Sequence, residues 1–195
     1  RGQRARDEIT IVDHGCGGGF TLLYLVVLGY RDVYGISYSD IGDAWNPLFR
    51  EVFNDDTERF HVYDGMAVPL GDDFADIIFS QQVLEHVTPE MIVPYYREEG
   101  RVLKPGGWAI HEVPHRFVPY DSHTRTWFLH YLPKPLYGPL QSVFGTRRDF
   151  ALYLRTPMFH RRKAETYIGR VRDTTWKKIT TAPRSNEFDG PKWVA

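Results

Sequence analysis

Over the first hundred or so residues, short continuous apolar runs alternate with longer stretches of helical periodicity. "ITIVD" (9–13) predicts a buried strand, and Phe20 to Leu28 predicts a helix. "DVYGIS" (32–37) predicts a second strand. "NPLFREVF" (46–53) predicts a helix with Asn46 as its N-cap and Pro47 at the first helical position, where a missing N–H breaks no bond. "RFHVYD" (59–64) and "FADIIFS" (74–80) predict the third and fourth strands. "TPEMIVPYYREEGRVL" (88–103) predicts a helix capped by Thr88 and bent at Pro94. A "KPGG" turn (104–107) then leads into a fifth strand, "WAIHEV" (108–113). Strands alternating with helices build βαβ units around a parallel sheet, and uninterrupted apolar strands are buried on both faces. The expected fold is α/β and Rossmann-like: a mostly parallel seven-stranded sheet with helices on both faces.

Beyond Val113 the periodicity is lost. Residues 114–145 are rich in proline, histidine and aromatics, which predicts an insertion or lid over residues 114–150 beside the site. Arg161, Arg162 and Lys163 read as a solvated surface. "TTWKKIT" (174–180) predicts a late strand. With 195 residues, 42% hydrophobic and 15% aromatic, residues 1–195 suit a single domain. A net charge of -1 supplies no field for nucleic acid, and none is expected as a partner. The single cysteine, Cys16, excludes an internal disulfide and a cysteine-rich zinc site, and it points to a reducing, cytoplasmic setting. Leu22 to Leu28 is too short to span a bilayer and lies behind a glycine cluster, so neither a transmembrane segment nor a signal peptide is read. The chain opens on Arg1 rather than Met, so a natural start upstream is expected.

The glycine cluster carries the chemistry. In "IVDHGCGGGF" (11–20) four glycines fall in five positions between a strand and a helix. Such a cluster serves a tight turn with φ > 0, or a backbone that something must approach closely. The dinucleotide pattern G-x-G-x-x-G fails, because its sixth position is Phe20 or Leu22, and no lysine completes a phosphate loop. Asp13 precedes the turn and would repel a pyrophosphate but welcome an ammonium group.

"DHGCGGG" (13–19) resembles the first motif of the class I S-adenosylmethionine (SAM) dependent methyltransferases, Asp-apolar-Gly-Cys-Gly-Thr-Gly, with His14 at the apolar position and Gly18 at the threonine. "VYGISYS" (33–39) resembles the family's second-strand motif. "YDGMAVPLGDDFADIIFSQQVLEHV" (63–87) is similar to its long fourth-strand motif, and "GRVLKPGGWAIHEV" (100–113) to its Arg-x-Leu-Lys-Pro-Gly-Gly turn and fifth strand. The resemblance implies a SAM-binding core over residues 9–113. It implies that Gly15, Cys16, Gly17 and Gly19 lay backbone against the methionine part of SAM and that Asp13 holds its ammonium group. It implies that Asp64 accepts from the adenine amino group, that Gly65 shapes that turn, that Met66 packs on the adenine ring and that Gln81, with Gln82, borders the site. The family's acid at the end of the second strand is Ser37 here, with Asp40 three residues on.

Methyl transfer to oxygen benefits from a general base, and histidine titrates in the useful range. His111, His115, His123 and His130, four of the chain's eight histidines, fall within twenty residues from the fifth strand onward, a region expected over the sheet's carboxyl edge, and the candidate bases are His86, His111, His115 and His123. They lack a paired ligand motif, so no metal is expected. Phe117, Tyr120, Trp127, Phe128, Tyr131 and Tyr137 suit stacking on a sugar ring, and "FLHYLPKPLYGPL" (128–140) suits a weak contact with a membrane surface. The expectation is O-methylation of a glycan or small hydroxylated metabolite. The alternatives are a methyltransferase-like binding module without catalysis, for which Ser37 speaks, and a nicotinamide-dependent oxidoreductase, against which the glycine spacing speaks.

Overall fold

β1 (Ile11–His14), β2 (Val33–Ser37), β3 (Phe60–Val62), β4 (Ala75–Gln81) and β5 (Leu103–Glu112) run parallel in the order β3-β2-β1-β4-β5. The structure, a computed structural model, describes residues 4–114, 116–117, 119–121, 126–133, 135–136, 139–140, 143, 153–174 and 178–182. Among the described residues the sheet has seven strands, of which these five are parallel. An antiparallel hairpin, β8 (Arg170–Thr174) and β9 (Lys178–Ala182), continues it by pairing β9 with β5. β6 (Tyr120–Asp121) and β7 (Thr126–Trp127) form a separate two-stranded ladder within the expected insertion.

The two-residue period of the strands sorts the core onto two faces. Ile11, Val33 and Ile77 point to one side, where Leu22 of α1 (Phe20–Val27) and Phe49 of α2 (Gly42–Phe53) cover them. Val12, Ile36, Ile78 and Ala109 point to the other, where Val102 of α3 (Ile92–Val102) meets them. Ala164 of α4 (Pro157–Tyr167) joins the same side through Tyr95, Tyr96 and Val171. Burial on both faces is why these strands read as unbroken apolar runs.

Three local expectations are corrected. Asn46 does not cap a helix. α2 starts four residues earlier, and the Asn46 amide clamps β3 instead: Oδ1 accepts from the N–H groups of Arg59 and Phe60, and Nδ2 donates to the Phe60 carbonyl. Residues Thr88 to Met91 form turns and α3 begins only at Ile92, which puts Pro94 in the first turn, where no helical bond is lost. "KPGG" is not a turn before β5. It is a bulge inside it, where the register steps from Ala75↔Leu103 to Ile77↔Trp108 and Gly106 takes φ +82°.

Candidate functional site

The order of the parallel strands reverses between β1 and β4, and a ligand crevice is expected outside their carboxyl ends. A pocket of about 560 Å³ opens there, lined by Gly15, Gly17, Ser37, Tyr38, Ser39, Asp64, Gln82, Val83, His86, Val87, Thr88 and Met91. Each loop that follows β1, β2, β3 and β4 contributes to it.

The glycine turn forms its floor. Gly15, Gly17 and Gly19 all hold positive φ, at +94°, +52° and +77°. Their neighbours differ. A Cβ on Gly15 would run into Val83, and one on Gly19 into the Trp45 indole, which itself donates to the Gly18 carbonyl. A Cβ on Gly17 would meet no heavy atom within 4 Å. Bare left-handed backbone facing open space in a pocket wall fits the close approach of a ligand. Gly19 closes the turn as the N-terminal cap of α1.

Asp13 lies under this turn with 3% of its surface exposed, and it is not part of the pocket wall. Burial pushes its carboxyl up from the usual carboxylate range to about 7. A group so placed gains from a cation. Cys16 packs beneath the turn on Gly35 and Leu22, away from the pocket, and burial pushes its thiol up to about 12. It is an inert core residue.

Ser37 is buried at the end of β2 and its hydroxyl accepts from the Ser39 N–H at 3.1 Å. Asp40 is committed to its own turn through the Gly42 N–H. Asp64 faces the pocket from the loop after β3. Its Oδ1 accepts from the N–H groups of Met66 and Ala67, which holds the carboxyl below its ordinary value. Gly65, at φ +86°, sits so close to Tyr38 and Met91 that a Cβ would lie 2.8 Å from the Met91 methyl. Met66 is 54% exposed and outside the wall, which Met91 supplies in its place. Gln81 ends β4 and is likewise outside; Gln82, turned by φ +55° and tied to the Glu112 carbonyl, is inside.

The four histidines separate. His86 is in the pocket wall with 41% of its side chain exposed, and its Nε2 is 4.0 Å from the buried carboxylate of Glu85. His111 is fully buried under the sheet, where its Nδ1 meets Ser80 Oγ at 2.9 Å and burial lowers its pKa. A side chain sealed in the core does not reach an acceptor, so His111 is corrected to a structural residue. His115 and His123 lie outside the described residues.

Sequence reasoning missed Arg155. Its guanidinium donates to the carbonyls of Leu84 and Val87 at 2.9 and 2.7 Å, and the Glu85 carbonyl accepts from the Tyr153 N–H. The turn that presents His86 is thus pinned by a segment some seventy residues away. Only the cation–aromatic neighbourhood "LYLRTPMF" hints at it in the sequence. Tyr38 and Met91 were missed too, because nothing in their spacing distinguishes them from core aromatics and aliphatics. No helix among the described residues is long and apolar enough to cross a membrane.

The sequence model of the family described as "Methyltransferase domain" matches residues 12–111, just over half of the chain. No curated protein matches it. Among solved structures, the PH0226 protein from Pyrococcus horikoshii OT3 is similar with a TM-score of 0.61 at 17% identity, over 90% of this chain and 82% of that one. The methyltransferase solved with the Trm112 methyltransferase activator of Haloferax volcanii gives 0.55 at 20%, over 85% and 63%. The geranyl diphosphate C-methyltransferase of Streptomyces coelicolor A3(2), solved with Mg2+, geranyl diphosphate and S-adenosyl-L-homocysteine, gives 0.55 at 20%, over 85% and 54%. The chain thus spans 63% and 54% of the length of these last two, and at such identities the likeness is one of fold.

Proposed function

Since the chain belongs to the methyltransferase-domain family, we propose that it is a SAM-dependent methyltransferase, that the pocket over the glycine turn holds SAM and that the methyl acceptor is an oxygen of a glycan or small hydroxylated metabolite. One observation supports the cofactor reading above all: Gly17 offers left-handed backbone to the pocket with nothing in front of it.

Bound SAM supplies an activated methyl group on a sulfonium; the chain's own residues hold, orient and move a proton. Gly15 and Gly17 bring their backbone against the methionine part, while Cys16 and Gly19 shape the turn from below and behind. Asp13 offers its carboxylate to the ammonium group, directly or through water. Asp64 keeps Oδ1 in its turn and offers Oδ2 to the adenine amino group, with Gly65 leaving room for Tyr38 and Met91 beside it. Ser37 offers a hydroxyl to the ribose where a carboxylate would have gripped both hydroxyls. Val83, Val87 and Met91 keep water from the reacting centre.

His86 is the general base of this reading. It takes the acceptor hydroxyl's proton, and the Glu85 carboxylate 4.0 Å away steadies the imidazolium that results. A second reading rests on the apolar wall of Val83, Val87 and Met91: it suits a carbon acceptor, as in the neighbour solved with geranyl diphosphate. The two separate on one variant. With labelled SAM and a panel of hydroxylated acceptors, His86→Ala is expected to keep cofactor affinity within about twofold and to lose transfer by roughly a hundredfold or more. Unchanged transfer would remove His86 from the chemistry and favour the carbon acceptor.

A further inference from the structure

His14, Ser80 and His111 end or nearly end β1, β4 and β5, and they fall in one row on the α3 side of the sheet: Ser80 pairs with His111, and Asp13↔Phe79 puts His14 beside Ser80. Polar side chains fill a row where the neighbouring positions are Val12, Ile78 and Ala109. Glu99 rises from α3 to meet them. Its Oε1 is 2.9 Å from His14 Nδ1 and its Oε2 is 3.2 Å from His111 Nε2, with both histidines and the glutamate at 1% exposure or less. The other nitrogen of His14 meets the Tyr63 hydroxyl at 3.0 Å, and Tyr95 stacks on the ring at 4.1 Å with planes 5° apart. The Tyr63 ring in turn packs on that of Tyr38, with centroids 5.1 Å apart and planes tilted by 37°. Two histidines and a carboxylate converge here, yet among the described residues no group is arranged to hold a metal ion.

This network touches every parallel strand at its carboxyl end: Tyr38 after β2, Tyr63 after β3, His14 on β1, Ser80 on β4 and His111 on β5. Two of its members adjoin the pocket. Tyr38 is in the wall, and Tyr63 is covalently next to Asp64. A buried histidine–carboxylate cluster of this kind is weak evidence for stability, because well-packed apolar residues of equal volume do as well or better. Its reach from the core to the pocket wall calls for another role.

We propose that Glu99 and His14 are positioning residues of the cofactor pocket: Glu99 fixes the His14 ring, His14 fixes Tyr63, and Tyr63 holds Tyr38 and the Asp64–Gly65 turn in the geometry that binds SAM. The carboxylate orients the ring by accepting from Nδ1, which leaves Nε2 directed at the Tyr63 hydroxyl. The proposal rests on the reading of the pocket as the SAM site, and its test separates the two.

His14→Leu, Glu99→Met and His111→Leu are combined in one variant that keeps apolar volume. Three quantities are compared with the natural chain: thermal midpoint, amide exchange of residues 37–40 and 63–67 in the free protein, and calorimetric affinity for SAM. The expected result is an equal or higher midpoint, exchange accelerated severalfold in both segments, and affinity lowered about tenfold, the loss of one or two positioned hydrogen bonds. Restoring His14 and Glu99 while keeping His111→Leu is expected to return both slow exchange and affinity. Tyr63→Phe, which removes one hydroxyl and keeps the ring, carries the same test should the triple variant not fold, with a loss of about threefold. Unchanged exchange and affinity in the variants would overturn the proposal. If the natural chain binds no SAM but the two segments still loosen, the positioning role stands and the cofactor reading falls.

Discussion

Gly17 separates two uses of glycine that look alike in the sequence. Its neighbours Gly15 and Gly19 are forced by atoms already in the protein, whereas Gly17 faces space. Gly17→Ala is therefore expected to cost only the left-handed strain, about 1–2 kcal/mol in chemical denaturation, while SAM affinity falls at least tenfold by calorimetry. Gly15→Ala, driven against Val83, is expected to lose the fold along with binding. Asp13 makes a pH prediction whose sign follows from its burial. Its native pKa, raised to about 7, lies above the unfolded value, so between those limits the native state holds a proton that the unfolded chain has released. Stability is then fully present at low pH and declines as pH rises toward 7, by up to about 1.4 kcal/mol per pH unit. Asp13→Asn is expected to flatten that slope in denaturation curves taken from pH 5 to 8. A slope identical to that of the natural chain would remove Asp13 as its source. His111 shows the limit of residue-level reading: its type suits a base, but its place in a buried row depends on Glu99, and the His14–Glu99 bond joins residues 85 apart in sequence.

At the scale of elements, the five parallel strands and α1 were legible because burial on both faces leaves unbroken apolar runs. α4 and the β8–β9 hairpin were not. The hairpin lies at the sheet's end with β8 as its edge strand, and "RVRDT" and "KITTA" both mix polar and apolar positions instead of forming an unbroken apolar run. The late strand expected at 174–180 straddles the two, with residues 175–177 outside the described part. Asn46 misled because its preference for caps is local, while the clamp on β3 that it makes is tertiary. Arg155 is the case with consequences for the site, since it bonds two carbonyls of the His86 turn across 71 and 68 residues. Arg155→Ala is expected to cost about 2 kcal/mol in chemical denaturation and to speed amide exchange at residues 84–88. Exchange there at the natural rate would show that the turn holds itself.

At the scale of the molecule, two helical layers and a sheet whose order reverses between β1 and β4 leave one edge where four loops converge on a pocket. The chain belongs to the methyltransferase-domain family, and the proposed function lays the cofactor against the glycine turn, Asp13 and Asp64. The most direct test of that claim is a calorimetric titration with SAM and, separately, with S-adenosyl-L-homocysteine, repeated at pH 7 in two buffers of different ionisation enthalpy. The account predicts micromolar binding of both compounds. It also predicts a heat that differs between buffers, because a cation beside Asp13 drives off the proton that burial had held there. No heat with either compound would contradict the assignment of the pocket, and binding with the same heat in both buffers would contradict the part given to Asp13.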